Sequence, residues 1–288
     1  MLEMHFCLEK NRGILLMKIK NLYGKNIFVT GASSGIGKAC ALRFAQSGCR
    51  VIGVAINCEE KVQYFENGGC FKLHNMDVTK EDEVERLVTS IECVDIAVLC
   101  AGIGVAGPVE ELSIDLAKKQ MDVNYFGTLR VCQAVLPKMR EKRKGLVIVI
   151  SSVAGRVPIP MQSHYSSSKY ALEAMVECIR MEMRQFNIRA ALIEPGDTHT
   201  GFTESRQFYD NTDSAYKEMC AASVGKMEED ERNGRSPDSV AKIAVNLAGR
   251  KHPPVRSVVG AEYKLLMFLL RFLPDTLIET ILRKLYLT

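Results

Sequence analysis

The chain has 288 residues, 47% apolar and 25% charged, and 38 Lys and Arg against 34 Asp and Glu give a net charge of +4. That balance supports a sizeable buried core and excludes a disordered chain, and the mixed signs leave no footprint for a nucleic-acid partner. Length alone divides into about two domains, yet one α/β domain often reaches ~250 residues. No apolar run approaches the ~18 residues of a membrane span. The run at 265–270 is cut by Arg271, and the stretch 14–17 is too short for a signal-peptide core. The expected address is cytoplasmic. Ten cysteines stand at positions 7, 40, 49, 58, 70, 93, 100, 132, 178 and 220, with no Cys-x-x-Cys pair. They read as reduced, core-filling thiols, and no metal site is expected.

Residues 1–16 show no clear period and read as a loose extension or the product of an upstream start codon, because Met17 directly precedes a well-formed beginning. From Asn26 onward, short β-branched runs alternate with helix-length segments. Strands are predicted at 26–30, 50–56, 71–76, 95–99, 146–150, 188–193 and 256–259, and helices at 36–47, 80–91, 113–140, 166–186 and 237–248. Several strands are continuously apolar, as in Leu146-Val147-Ile148-Val149-Ile150, which suits strands covered on both faces of a parallel sheet. The alternation predicts right-handed βαβ units: an α/β fold with a single doubly wound Rossmann-type domain and a parallel seven-stranded sheet over 17–260. A loop-helix insertion is expected at about 198–235, and an apolar helical tail at 261–288. The basic cluster 138–144 reads as a solvated helix end.

The first strand runs into Thr30-Gly31-Ala32-Ser33-Ser34-Gly35-Ile36-Gly37 and then a helix. Gly31 permits a tight turn, Gly35 lets backbone approach a pyrophosphate, and Gly37 lets the helix pack on the strand. The helix N-terminus offers free N–H groups and a positive dipole end to phosphates. This stretch resembles the cofactor loop of the short-chain dehydrogenase/reductase family, and the resemblance extends from about 24 to about 260 through further motifs in order.

Tyr165 and Lys169 form a Tyr-x-x-x-Lys pair on one helix face. A free tyrosine with pKa ≈ 10 is a poor base at neutral pH, and a nearby ammonium is expected to lower it into use for a secondary alcohol and ketone pair. Ser152 follows a predicted strand, where its hydroxyl can hydrogen-bond the substrate oxygen. The family's spacing selects Ser152 over its neighbour Ser151. Asn124 matches the family's helix asparagine, and the resemblance implies that it holds a water linking Lys169 to solvent. Pro195 and Gly196 lie, by resemblance, beside the nicotinamide, with Thr198 close by and Thr200 contacting the carboxamide. Asp77 and Val78 resemble the adenine-side station, though Asp77 also reads as a helix-capping residue.

Two departures stand out. Where the family commonly has Asn-Asn-Ala-Gly, this chain has Leu99-Cys100-Ala101-Gly102, keeping Ala101 and Gly102 against the cofactor while losing both asparagines. At the end of the second strand there is no acid to bind a ribose 2′-hydroxyl and no base to bind a 2′-phosphate. Ser33, Ser34 and Asn57 can donate to a phosphate, so the reading leans to NADP(H) and leaves NAD(H) open.

Phe202, Phe208, Tyr209, Tyr216 and Met219 lie in the inserted segment, and an apolar stretch at 157–161 precedes Tyr165. Such lining suits a large hydrophobic alcohol or ketone, and similarity to hydroxysteroid- and retinol-type members points to a hydroxysteroid such as a bile acid. The alternatives are a small-carbonyl or sugar-type reductase, or a non-catalytic dinucleotide sensor on the same fold. The family resemblance implies a homodimer or homotetramer. The tail reads as subunit interface or core, with contact to a membrane surface a further option because Lys264, Arg271, Arg283 and Lys284 flank its apolar faces.

Overall fold

Every residue of strand β7 (Gly145–Ile150) is buried. In this computed structural model, which describes residues 21–208 and 214–287, β7 lies inside an eight-stranded sheet. The other strands are β1 (Asn26–Thr30), β2 (Arg50–Ala55), β3 (Lys61–Tyr64), β4 (Cys70–Asn75), β5 (Ile96–Leu99), β8 (Ile188–Glu194) and β10 (Arg256–Val258). Their order is β10-β8-β7-β5-β1-β2-β4-β3. Seven strands run parallel, each within a residue or two of its predicted bounds. The eighth, β3, is antiparallel to β4 and was not predicted. It is exposed along its whole length and alternates polar and apolar residues, so burial never gave it the apolar run by which the others were read. The loose N-terminal extension expected at residues 1–16, and Tyr209 of the inserted segment, fall outside the described residues.

The pleat divides the apolar strands between two cores. Ile27 and Val29 of β1, with Leu146 and Ile148 of β7, face helices α1 (Gly35–Ala45) and, later in the chain, α8 (Pro237–Ala248). Phe28, Val147 and Val149 face the opposite layer, built from α2 (Glu81–Ser90), α4 (Gly127–Glu141) and α5 (Ser163–Glu182). Helices on both faces of a parallel sheet are what the βαβ alternation predicts.

Three predicted segments are subdivided. The long helix expected at 113–140 is α3 (Ile114–Met121), capped by Ser113 Oγ accepting from Leu116 N at 3.2 Å, followed by a π-helical turn (Asp122–Phe126) and α4. The helix expected at 166–186 ends as α5 and closes with a 3₁₀ turn (Met183–Phe186), with left-handed Asn187 stopping it. The insertion at about 198–235 contains α6 (Phe202–Ser205), β9 (Gln207–Phe208) and α7 (Lys217–Arg232), and β9 pairs with β6 (Val105–Ala106).

Beyond β10 come α9 (Ala261–Leu269) and α10 (Asp275–Tyr286). Leu265, Phe268, Phe272, Leu277 and Leu285 leave an apolar face exposed on them. Among the described residues no helix is long and apolar enough to cross a membrane.

Phe28 is 1% exposed at the centre of this sheet. Phe28→Ala is expected to cost about 3–5 kcal/mol of unfolding free energy, read from urea denaturation. A loss below about 1 kcal/mol would mean that the core is packed elsewhere.

Candidate active site

Because seven strands run parallel, their carboxyl ends open on one edge. The chain departs in opposite directions from β1 and β5, and a crevice forms where it divides. A cavity of about 570 Å³ occupies that edge. Its walls are the segments that follow β1, β2, β4, β5, β7 and β8, together with α5, α6 and α7. Of the residues singled out from sequence, Gly31, Ser33, Ser34, Gly35, Ile36, Gly37, Asp77, Val78, Ala101 and Gly102 line one end. Ser152, Tyr165, Lys169, Pro195, Gly196, Thr198 and Thr200 line the rest.

The glycine loop has a definite geometry. Gly31 and Gly35 take positive φ values of 65° and 50°. A methyl group on Gly37 would stand 2.2 Å from the Gly31 carbonyl oxygen, so only glycine lets α1 start this close to β1. Ser34 at the N-cap makes no side-chain cap, and the first turn of α1 carries no acid. The leading N–H groups and the positive end of α1 are therefore available to a phosphate. Thr30 Oγ1 accepts from the backbone N–H groups of Cys100 and Ala101 at 2.9 and 3.0 Å, which ties β1 to the turn after β5 where the family asparagines are absent. Asp77 lies in the turn before α2, whose N-cap is Lys80. It lines the cavity, and its carboxylate accepts from Thr79 N and Oγ1 at 2.9 and 2.8 Å. An uncapped helix end, a crevice floor that admits no Cβ, and an elongated cavity leading to Tyr165 fit a dinucleotide.

Two expected positions differ. Asn57 is exposed, at φ 52° in the turn after β2, and does not line the cavity, where Val54, Ala55 and Ile56 stand instead. Asn124 is fully buried in the π turn and also stays off the cavity wall. Its Nδ2 donates to Ile103 O at 3.1 Å and to Ser168 Oγ at 2.9 Å, and its Oδ1 accepts from Ile103 N at 2.8 Å. Thr128 Oγ1 donates to its carbonyl at 2.8 Å. Asn124 thus spends its side chain bracing the 103 loop against α5.

Tyr165 and Lys169 share one face of α5, as their spacing requires. The Lys169 ammonium lies 5.5 Å from the centre of the Tyr165 ring and donates to Ile150 O at 3.0 Å. Ser152, at the N-terminus of a 3₁₀ turn (Val153–Gly155), accepts from Ala154 N at 3.1 Å, donates to Pro195 O at 3.5 Å and lines the cavity together with Tyr165. The pKa shift runs opposite to the sequence expectation. Desolvation by the surrounding protein pushes the Tyr165 phenol up to about 12, with Glu231 adding to the rise and Ser152 and Arg206 opposing it. Desolvation lowers the buried Lys169 to about 8. Both groups favour their neutral forms for the same reason: a low-polarity pocket penalises charge.

The cavity also holds residues that sequence reading passed over: Gln162, Arg206, Met227, Glu231 and Tyr286. Arg206 and Glu231 lie within the insertion expected at about 198–235, where only its aromatic residues and Met219 had been singled out. Phe202, expected as substrate lining, packs 5.8 Å from the Tyr165 ring centre, whereas Phe208, Tyr216 and Met219 do not line the cavity, and the Tyr216 hydroxyl donates to Glu110 Oε2 at 2.6 Å.

A family model described as short chain dehydrogenase matches residues 25–209. The chain belongs to the short-chain dehydrogenase family. It is an NAD(P)-dependent oxidoreductase of the type acting on CH–OH groups. It is 34% identical over 267 residues to a 3-ketodihydrosphingosine reductase of Bacteroides thetaiotaomicron, covering 90% of this chain and 97% of the relative. It is 30% identical over 256 residues to mouse dehydrogenase/reductase SDR family member 7B, covering 84% and 76%. Among solved structures, a short-chain dehydrogenase from Streptomyces avermitilis superposes with a TM-score of 0.75 at 26% identity, covering 87% of this chain and 93% of that one.

The contact at Gly37 gives a direct test of the cradle in this short-chain dehydrogenase. Gly37→Ala is expected to weaken dinucleotide binding at least about tenfold, since α1 must move off the phosphate position. Fluorescence titration with NADPH and with NADH measures it, and unchanged affinity for both would place the dinucleotide elsewhere.

Proposed function

We propose that this enzyme reduces a ketone to a secondary alcohol on a long-chain apolar substrate, with NADPH as preferred reductant and Tyr165 as the proton donor. The observation that carries the reading is the cavity that Ser152, Tyr165 and Lys169 line together, with the Lys169 ammonium 5.5 Å from the centre of the Tyr165 ring. A bound nicotinamide dinucleotide supplies the hydride. The residues of the chain manage the oxygen and the proton.

A phenol pushed up to about 12 is fully protonated at neutral pH, so it enters the reaction as an acid. Ser152 and Tyr165 donate to the ketone oxygen and stabilise the negative charge that develops there. Tyr165 then gives its proton to that oxygen and becomes a phenolate. The Lys169 ammonium offsets the new charge in a pocket where attraction is little screened.

The substrate class is supported by the 3-ketodihydrosphingosine reductase that the chain resembles over nearly its whole length. Apolar walls from Ile159, Phe202, Met227 and Tyr286 support it too. A ketone with an extended alkyl chain takes the place of the hydroxysteroid expected from sequence. Preference for NADPH is supported by the end of β2, where Val54, Ala55 and Ile56 line the cavity without a carboxylate. A 2′-phosphate meets no repulsion there, and Ser33 and Ser34 can donate to it.

A panel of long-chain ketones, steroid ketones, retinoids and sugars, assayed with each reduced cofactor, tests the substrate and cofactor. Faster turnover of steroids than of alkyl ketones would sink the lipid assignment. Tyr165→Phe is expected to lower kcat by about 10²–10⁴-fold without loss of NADPH binding. For reduction, kcat/KM should fall as pH rises through about 8, because Lys169 then loses the proton that stabilises the phenolate. A profile flat to high pH would remove Lys169 from the step.

A further inference from the structure

Arg206 is an unusual residue to find in an apolar substrate chamber. Its side chain is 1% exposed, yet it lines the cavity beside Phe202, whose ring centre is 5.7 Å from the guanidinium carbon. Nη2 meets Glu231 Oε1, while Nη1 is buried with no hydrogen-bond partner among the described residues. Glu231 lines the same cavity, and its second oxygen accepts from Thr203 Oγ1 at 2.5 Å. A buried guanidinium is normally satisfied at every N–H, because an unpaired buried donor loses its water and gains nothing. Here one N–H is left over, on a residue that lines the chamber holding Tyr165.

We propose that Arg206 and Glu231 form the subsite for a hydroxyl group carried by the substrate near its ketone. This rests on the ketone-reduction reading and deepens it by naming the polar group that the apolar chamber accepts. A hydroxyl oxygen accepts from Nη1 while its own O–H donates to the Glu231 carboxylate, so one neutral group satisfies both partners. A carboxylate in that position meets repulsion from Glu231, and a lone ammonium meets repulsion from Arg206. A plain hydrocarbon leaves the Nη1 donor unpaired. Sites built to hydrogen-bond a substrate hydroxyl reject the analogue that lacks it far more strongly than apolar pockets reject a missing methylene. Phe202 fixes the subsite relative to the chemistry, since its ring touches both Arg206 and Tyr165. Arg206 and Glu231 are thereby specificity residues.

The test compares a long-chain β-hydroxyketone with the ketone of the same chain length that lacks the hydroxyl. Both are titrated calorimetrically into the full-length enzyme saturated with NADP⁺, and both are then assayed for reduction with NADPH. The hydroxyketone should bind at least about tenfold more tightly, with the same preference in kcat/KM. Arg206→Met, which keeps the bulk, and Glu231→Gln, which keeps the shape and the contact with Thr203, should each bring the two ketones to within about threefold. They should do so by weakening the hydroxyketone alone, and Arg206→Lys should restore part of the preference. A role confined to holding α6 against α7 would weaken both ketones equally. That result, or equal affinity of the two ketones for the wild type, or no measurable binding of either, overturns the subsite. Tenfold discrimination in binding without turnover would instead leave the subsite standing and overturn the reduction reading.

Discussion

A cation buried beneath a phenol is the arrangement on which this active site depends. Lys169 has exchanged water for the Ile150 carbonyl and the face of Tyr165, and the cost of that exchange appears as a pKa lowered to about 8. The same desolvation holds Tyr165 protonated. Of two groups that a helix turn places side by side, one is held as a neutral phenol and the other as an ammonium that gives up its proton near pH 8. In water the pair would interact weakly, and the pocket gives it strength.

The pocket exists because the sheet is parallel. Six strand ends that open on one edge deliver the glycine loop, the Asp77 turn, the Ala101–Gly102 backbone, Ser152 and Pro195 to a single crevice. The close approach of α1 to β1 at Gly37 and the hydrogen bonds from Cys100 and Ala101 to Thr30 set the crevice floor. The Thr30 hydroxyl, on the neighbouring strand, braces the turn after β5 by accepting from two successive backbone N–H groups. Asn124 belongs to the same scaffolding. Its π turn widens the helix where the chain passes behind Lys169, and its amide binds the 103 loop to α5.

The parts of the molecule that could be read in the sequence share a property: each is encoded by neighbours along the chain. The seven parallel strands were legible because burial on both faces demands unbroken apolar runs. β3 was not, because an exposed edge hairpin alternates weakly and is paired only through β4. The glycine loop and the Tyr165–Lys169 pair were legible because a turn or a helix face fixes their geometry within a few residues. Asn57 was misplaced because it stands in a left-handed turn off the cavity wall, which composition does not signal.

The amino-acid order alone determined the doubly wound sheet, the glycine loop and the placing of Tyr165 and Lys169 on one helix face, since periodicity and short spacings are local facts, whereas Ser152 was singled out through the family resemblance. Only the tertiary structure decided the protonation of Tyr165 and Lys169, because desolvation sums over every atom around a group. It also decided that Arg206 and Glu231 are buried partners in the substrate chamber. Arg206 follows α6 and Glu231 stands on α7, and only the docking of the two segments over the cavity pairs them.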